Sequence, residues 1–306
     1  MKKVLLLLYI VVAYTEINAQ VQAELKTEYF AESSYRREDG DNNPKVGNSK
    51  GSAMVYQANV SIPLSMTLNQ NKRPTAWTIN TGLTYAKLDN KNFEEPLVVD
   101  EIFNYGISLV HLRPLNDKWS MAAALGGGIF MPTTKMSQIG FRNVLLSGSA
   151  VFIRHLKPNL ALGGGLSLNN VLGYPMVFPA FYLNWETGEK YVVKVSLMNS
   201  LEVSAGYKVN KNLRLSLIAE MNGQLATLKQ EGEDKVITHI YLVTGIRPEI
   251  KINDNISIPL TLGVSAFRPT EIKDRDLKGI FKDNGYHFQS ALYASAGLNI
   301  RFQKHQ

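Results

Sequence analysis

The sequence predicts an all-β protein, a closed antiparallel transmembrane β-barrel of about 14 strands, with 12 as the alternative. Three observations carry this. Segment after segment alternates apolar and polar residues with period two, the pattern of a strand with one greasy and one wet face. Short connections rich in Asn, Asp and Lys alternate along the chain with longer polar ones. After the first twenty residues no apolar run is long enough for a membrane helix, so a chain that enters lipid must satisfy its own backbone by closing a barrel.

The N-terminus reads as an export signal. Lys2 and Lys3 precede an apolar run from Val4 to Ala13, and Ile17, Asn18 and Ala19 before Gln20 form a cleavage region with a small residue at the cut. Residues 1–19 are assigned to a signal peptide and 20–306 to the barrel. A spanning helix needs about 20 apolar residues, more than this run supplies. With no cysteine in the chain, neither a lipid-modified cysteine nor a disulfide framework is available. Net charge is +7, and falls to +6 when Lys2, Lys3 and Glu16 are removed. That excess suits lipopolysaccharide, other anionic surfaces or anionic solutes. No basic cluster with interleaved aromatics points to nucleic acid.

Strands are expected at 22–33, 52–66, 75–87, 100–113, 118–130, 143–156, 159–168, 176–186, 190–198, 200–209, 213–222, 236–250, 255–267 and 286–302. The second shows the pattern well: Met54, Tyr56, Ala58, Val60, Ile62 and Leu64 interleave with Val55, Gln57, Asn59, Ser61 and Pro63. Leu201, Val203, Ala205 and Tyr207 alternate with Glu202, Ser204, Gly206 and Lys208; Leu213 to Met221 and Ile256 to Ala266 follow suit. In 143–156 and 236–250 apolar residues fall on both faces and the sides cannot be assigned. Short turns at 69–74, 114–119, 156–160, 185–191, 209–213 and 252–256 all fall at one end of the barrel, the periplasmic one. Longer loops near 34–50, 88–99, 131–142, 169–175, 223–235 and 268–285 fall at the other. The join at 198–200 decides the count, because one long strand there leaves twelve.

The last strand places Phe288, Leu292, Ala294, Ala296, Leu298, Ile300 and Phe302 on a lipid face and His287, Gln289, Ser295, Asn299 and Arg301 on a wet one. Its Ser295-x-Gly297-x-x-Ile300-x-Phe302 resembles the C-terminal signal by which outer-membrane β-barrels are recognised for insertion, with Gln303 to Gln306 following the aromatic. Together with the signal peptide and the repeated turns, the chain resembles bacterial outer-membrane β-barrel families of unknown function. The resemblance implies a location in the outer membrane, contact with its lipid and lipopolysaccharide, and handling by the barrel-assembly machinery. It implies no catalytic residues.

Charges on the polar phase are the candidate lumen lining: Glu24, Lys26, Glu28, Lys194, Glu202, Lys208, Arg214, Glu220 and Arg301. Facing lipid at mid-depth, a Lys or Arg would cost about 2–4 kcal/mol. These groups either line a selective pore or neutralise one another in a closed barrel; Glu202 and Lys208 against Arg214 and Glu220 suggest such pairs. The triplets Gly126 to Gly128 and Gly163 to Gly165 sit within strands, where they relieve crowding rather than cradle phosphate. Five scattered histidines without cysteine make no metal site, and no cofactor is expected. Trp77, Trp119, Trp185, Tyr191, Tyr207 and Phe302 fall near the turn ends, as a boundary girdle would.

Fourteen strands enclose more space than the smallest barrels, whose interiors pack shut. The expected function is passage or binding of a small solute by a non-enzymatic barrel. The alternatives are a structural or surface-interaction barrel with a plugged lumen, and a lipid hydrolase of the outer membrane.

Overall fold

A computed structural model of the chain describes residues 21–302 apart from 40–41, 72, 95–96, 171–173, 188–189, 198–199, 277 and 280–284. The expected signal peptide and residues 303–306 lie outside the described residues. Fifteen strands follow in chain order: β1 (Val21–Arg37), β2 (Lys45–Leu68), β3 (Pro74–Lys91), β4 (Glu101–Pro114), β5 (Trp119–Met131), β6 (Val144–Lys157), β7 (Leu160–Asn169), β8 (Met176–Thr187), β9 (Tyr191–Leu197), β10 (Leu201–Lys208), β11 (Leu213–Gln230), β12 (Glu233–Lys251), β13 (Ile256–Asp274), β14 (Tyr286–Phe288) and β15 (Ala291–Phe302). From β1 to β13 each strand pairs antiparallel with its chain neighbours, and β15 pairs with β1 from Val21↔Phe302 to Phe30↔Tyr293. That closure makes a barrel.

β14 and β15 both lie between β13 and β1, so they form one ribbon interrupted at 289–290, and the ring has 14 staves. Leu197 pairs with Leu201 across a β9–β10 hairpin, which removes the twelve-strand alternative. The interruption shifts the side-chain phase by one. Phe288 consequently turns inward, buried against Tyr35 and beneath the Arg268 guanidinium, and not to the lipid face expected for it.

The six short turns expected from the sequence all fall at one end, and the asparagines there do what turn chemistry requires. The Oδ1 of Asn116 accepts from the backbone N–H groups of Lys118 and Trp119 at 2.9 and 3.0 Å, and Asn69, Asn210 and Asn253 cap their own turns likewise. Outside the ring, Leu25, Tyr56, Ile107, Leu125, Leu166, Val177, Leu217, Leu262 and Leu292 are exposed, as are all six expected girdle aromatics. All six lie within a few residues of the strand ends at the turn end.

At the opposite end the expected loops 223–235 and 268–285 are corrected: β11, β12 and β13 run on for 18, 19 and 19 residues, and β11 joins β12 in a tight hairpin. Glu231 and Gly232 make the turn with φ of 54° and 86°, the left-handed pair that a two-residue hairpin loop uses. About 9–11 residues suffice for a membrane strand, so the excess must go elsewhere.

It goes inward. β10 pairs with β11 no further than Met221, and beyond it β11 and β12 leave the wall together as a flap. The free edge of β11 reaches β4, half-way round the ring, where the Asn104 carboxamide donates to the Leu225 carbonyl at 2.6 Å and accepts from the Leu225 N–H at 3.4 Å. Asn143, just before β6, donates to the carbonyl and hydroxyl of Thr227 at 2.9 and 3.0 Å. The outer part of β13 follows, and Ile272 N–H bonds the Leu97 carbonyl at 3.2 Å.

One flap face carries Ala226, Ile237 and Tyr241, which pack with Phe30, Ala53, Val55, Ala86, Leu88 and Ile102 of β1–β4 in a single buried core. Burial of each large side chain there contributes about 1.5–3 kcal/mol. The other face buries Leu225 and Val236 against Leu145 and Phe130. The interior is therefore divided: the half near the turns is wet, and the half near the flap holds an apolar core.

Candidate functional site

Below the flap the lumen is open. A cavity of about 760 Å³ runs from Gln22, Ser61, Asn299 and Arg301 near the turn end up to Phe130, Leu145, Ser147 and Asn170 under the flap. A second of about 560 Å³ shares Glu24, Asn59, Glu202, Glu249 and Asn299 with it and continues along β10–β13.

The two sides of this space differ in chemistry. On β2–β6 the lining is neutral: Asn59, Ser61, Asn80, Ser108 and Ser147, with Gly82, Gly106 and Gly128 between them. Gly128 is required there, since a Cβ would lie 2.5 Å from the Tyr105 carbonyl, and at Gly165, where it would lie 1.9 Å from that of Ala150, the constraint is tighter still. On β1 and β10–β12 the lining is charged: Glu24, Lys26, Glu202, Arg214, Glu220, Arg247 and Glu249.

Pairing within the charged side is dense. Arg247 holds both carboxylate oxygens of Glu220, with Nη2 to Oε2 at 2.8 Å, and its Nε donates to Thr261 at 2.9 Å. Arg214 pairs with Glu249, whose other oxygen accepts from Ser257 at 3.0 Å. Lys26 bridges Glu28 at 2.9 Å and Glu220 at 3.8 Å. Glu28 is fully buried and accepts from Gln57, Tyr241 and Tyr293 at 2.6, 2.8 and 2.6 Å. Because Tyr241 belongs to the flap, this carboxylate ties the flap to the wall. It does not line open space.

Of the expected lining residues, Glu24, Lys26, Glu202, Arg214, Glu220 and Arg301 border the cavities. Lys194 and Lys208 lie on the same inward phase, opposite Ser204 and Arg214, and are solvent-exposed. The expected pairing of Glu202 and Lys208 with Arg214 and Glu220 is corrected: register sets Glu202 opposite Glu220 and Lys208 opposite Arg214, like against like. The true partners, Arg247 and Glu249, come from β12, which sequence periodicity left unassigned. Neither Glu24 nor Glu202 has a cation within 4 Å among the described residues.

Ser120 Oγ and His155 Nε2 stand 2.9 Å apart inside the wall near the turn end. Nucleophilic catalysis also needs a group that orients the base. Among the described residues the other ring nitrogen of His155 has no hydrogen-bond partner. No cluster of three potential metal-binding side chains occurs among the described residues. The C-terminal residues Gly297, Ile300 and Phe302 lie on the closing strand, opposite Lys26, Ala23 and Val21 of β1.

A family profile covers residues 15–301, nearly the whole chain. The chain belongs to the DUF6268 family, a domain of unknown function. A search of curated proteins finds no match. Among solved structures the chain is similar to an outer membrane channel of Pseudomonas putida F1, at 8% identity and a TM-score of 0.48, over 93% of this chain and 96% of that one. A mutant of the monoaromatic hydrocarbon channel TodX gives 9% and 0.47, over 96% and 92%. A Pseudomonas aeruginosa FadL homologue gives 11% and 0.42, over 94% and 91%. Identities and scores this low leave solute and mechanism to the chain's own residues.

Proposed function

We propose that this chain is a gated outer-membrane channel that binds and passes a small polar solute, with its short turns in the periplasm. The observation that carries the reading is the polar cavity of about 760 Å³ inside a ring whose outer surface is apolar. From Val177 to Trp185 the lipid-facing run of β8 rises about 20 Å at ~3.4 Å per residue and a ~40° tilt, close to the apolar band of known outer-membrane barrels. The aromatics at the turn end suit the membrane boundary, the signal peptide supplies the export route, and the basic balance suits lipopolysaccharide. Single-channel recording in planar bilayers tests it. Discrete steps from refolded protein support the channel. If a flap-shortened variant is silent as well as the native chain, the plugged structural barrel replaces it; the packed flap favours that second reading.

The lumen charges set an expected selectivity. Glu220 and Glu249 are neutralised by Arg247 and Arg214, whereas Glu24 and Glu202 border the cavity with no cation within 4 Å among the described residues, and charge lining a continuous pore attracts the opposite ion. The double substitution Glu24→Gln with Glu202→Gln is expected to lower the potassium-to-chloride permeability ratio several-fold. Reversal potentials in asymmetric KCl measure this; an unchanged ratio would remove these two carboxylates from the lining.

Gly297, Ile300 and Phe302 support recognition by the barrel-assembly machinery. Phe302→Asp is expected to lower the folded outer-membrane fraction at least tenfold, read as loss of the heat-modifiable band on gels. Gly297 has a structural part too, as a Cβ there would lie 3.0 Å from the Pro259 ring.

A further inference from the structure

β9 and β10 have 7 and 8 residues. A tilted membrane strand needs about 9–11. The wall is therefore too low between β8 and β11. On one side residues 176–180 of β8 continue beyond Phe181, the last residue that pairs with β9, and keep only β7 as a partner. On the other side β11 turns inward above Met221. Exposed Val177 and Leu166 on the adjoining strands lie beyond Phe181, so the floor of this gap lies within the apolar belt and not above it.

Unpaired strand edges do not face hydrocarbon unless they line a cavity, and here one lies directly behind the gap. A pocket of about 200 Å³ separates the back of the flap, at Gly223, Leu225 and Ile240, from the inner wall at Phe130, Ser147 and Asn170. Phe130, Ser147 and Asn170 also border the main lumen, so the two spaces adjoin. Asn170 is buried; its Nδ2 donates to the Leu146 carbonyl, while its Oδ1 has no partner among the described residues. Leaving a buried acceptor unsatisfied is costly, and a hydroxyl or N–H of a bound molecule would recover that cost.

We infer that the β9–β10 gap is a side window in the barrel wall, and that the pocket behind it takes a neutral amphipathic molecule with an apolar body and one hydrogen-bond donor, passing it between the lumen and the membrane interior. Apolar Phe130, Leu225 and Ile240 hold the body, and Asn170 accepts from the donor. This rests on the outer-membrane reading above, and the test separates the two.

The chain has no cysteine, so single cysteines can carry a bimane fluorophore without background. Three are placed in full-length protein reconstituted with brominated phospholipid: Leu217→Cys on the outer surface, Ile240→Cys in the pocket and Ser61→Cys in the lumen near the turn end. Expected is strong quenching by bromine at 217 and at 240 and at least fivefold less at 61, where aqueous iodide quenches instead. Quenching at 217 without quenching at 240 overturns the window and leaves the membrane barrel standing. No quenching at 217 overturns both. The ligand class is tested with 2-naphthol on detergent-solubilised protein: Asn170→Ala is expected to weaken its binding about tenfold, and equal affinity overturns the role of Asn170.

Discussion

Replacing the outer part of the β11–β12 hairpin, residues 223–240, with a two-residue turn is expected to raise single-channel conductance at least several-fold, and keeps Asn222 opposite Tyr241. The flap fills the half of the lumen that the polar cavity does not reach, and one of its faces is buried in the Phe30, Val55 and Ile102 core. Removing it leaves the wall below Met221 intact, because β10 makes all its pairs with β11 at or below that level. A milder variant, Ile237→Asp, places a charge in that core and is expected to act in the same direction through more frequent opening. The measurement is step amplitude for the deletion and open probability for the point variant. If both match the native chain, the flap is not the obstruction.

The second large effect is expected at Glu28. Glu28→Ala is expected to lower stability by about 3–5 kcal/mol, the usual consequence of removing one member of a buried charged network, and to lower the midpoint of urea unfolding in lipid accordingly. The Tyr241 and Tyr293 hydroxyls and Gln57 lose their common acceptor, and Lys26 keeps only its longer contact to Glu220. Since Tyr241 rides on the flap, the same variant is expected to increase opening. A drop in stability without more opening would mean that the apolar core alone holds the flap.

Which parts of this were legible beforehand follows from where alternation survives. Between Leu213 and Met221 one face meets the outside and the other the lumen, so period two is visible and the strand and its phase are plain. In β12 the outer half is buried on both faces, with Val236 against Leu145 on one and Ile237 in the main core on the other. A doubly buried strand loses its alternation. That ambiguity was the signal of an inward fold, and its price was the phase of Arg247 and Glu249, the partners of Glu220 and Arg214.

The loop expected at 223–235 failed for a related reason. Its polar residues, Gln224, Lys229, Gln230, Glu231 and Glu233, resemble solvent-facing loop composition, yet Gln224 is buried, bonded to His239 and Tyr241 inside the flap. The like-charge register of Glu202 with Glu220 was hidden because a hairpin sets its partners by turn length, and a slip of two residues leaves every side chain on the same face. By contrast the asparagine turns were readable because each acts on its own neighbours.

A wall that is neutral on β2–β6 and ionic on β1 and β10–β12 has a further effect on whatever enters. In the channel proposed above, opposite wall chemistries would impose a sideways electric gradient, so a dipolar solute would favour one orientation, with its positive end toward Glu24 and Glu202. Stereoisomers of equal size and charge would then travel at different rates, because only one of each pair can present its hydroxyl groups to Asn59, Asn80 and Ser108 while held in that attitude.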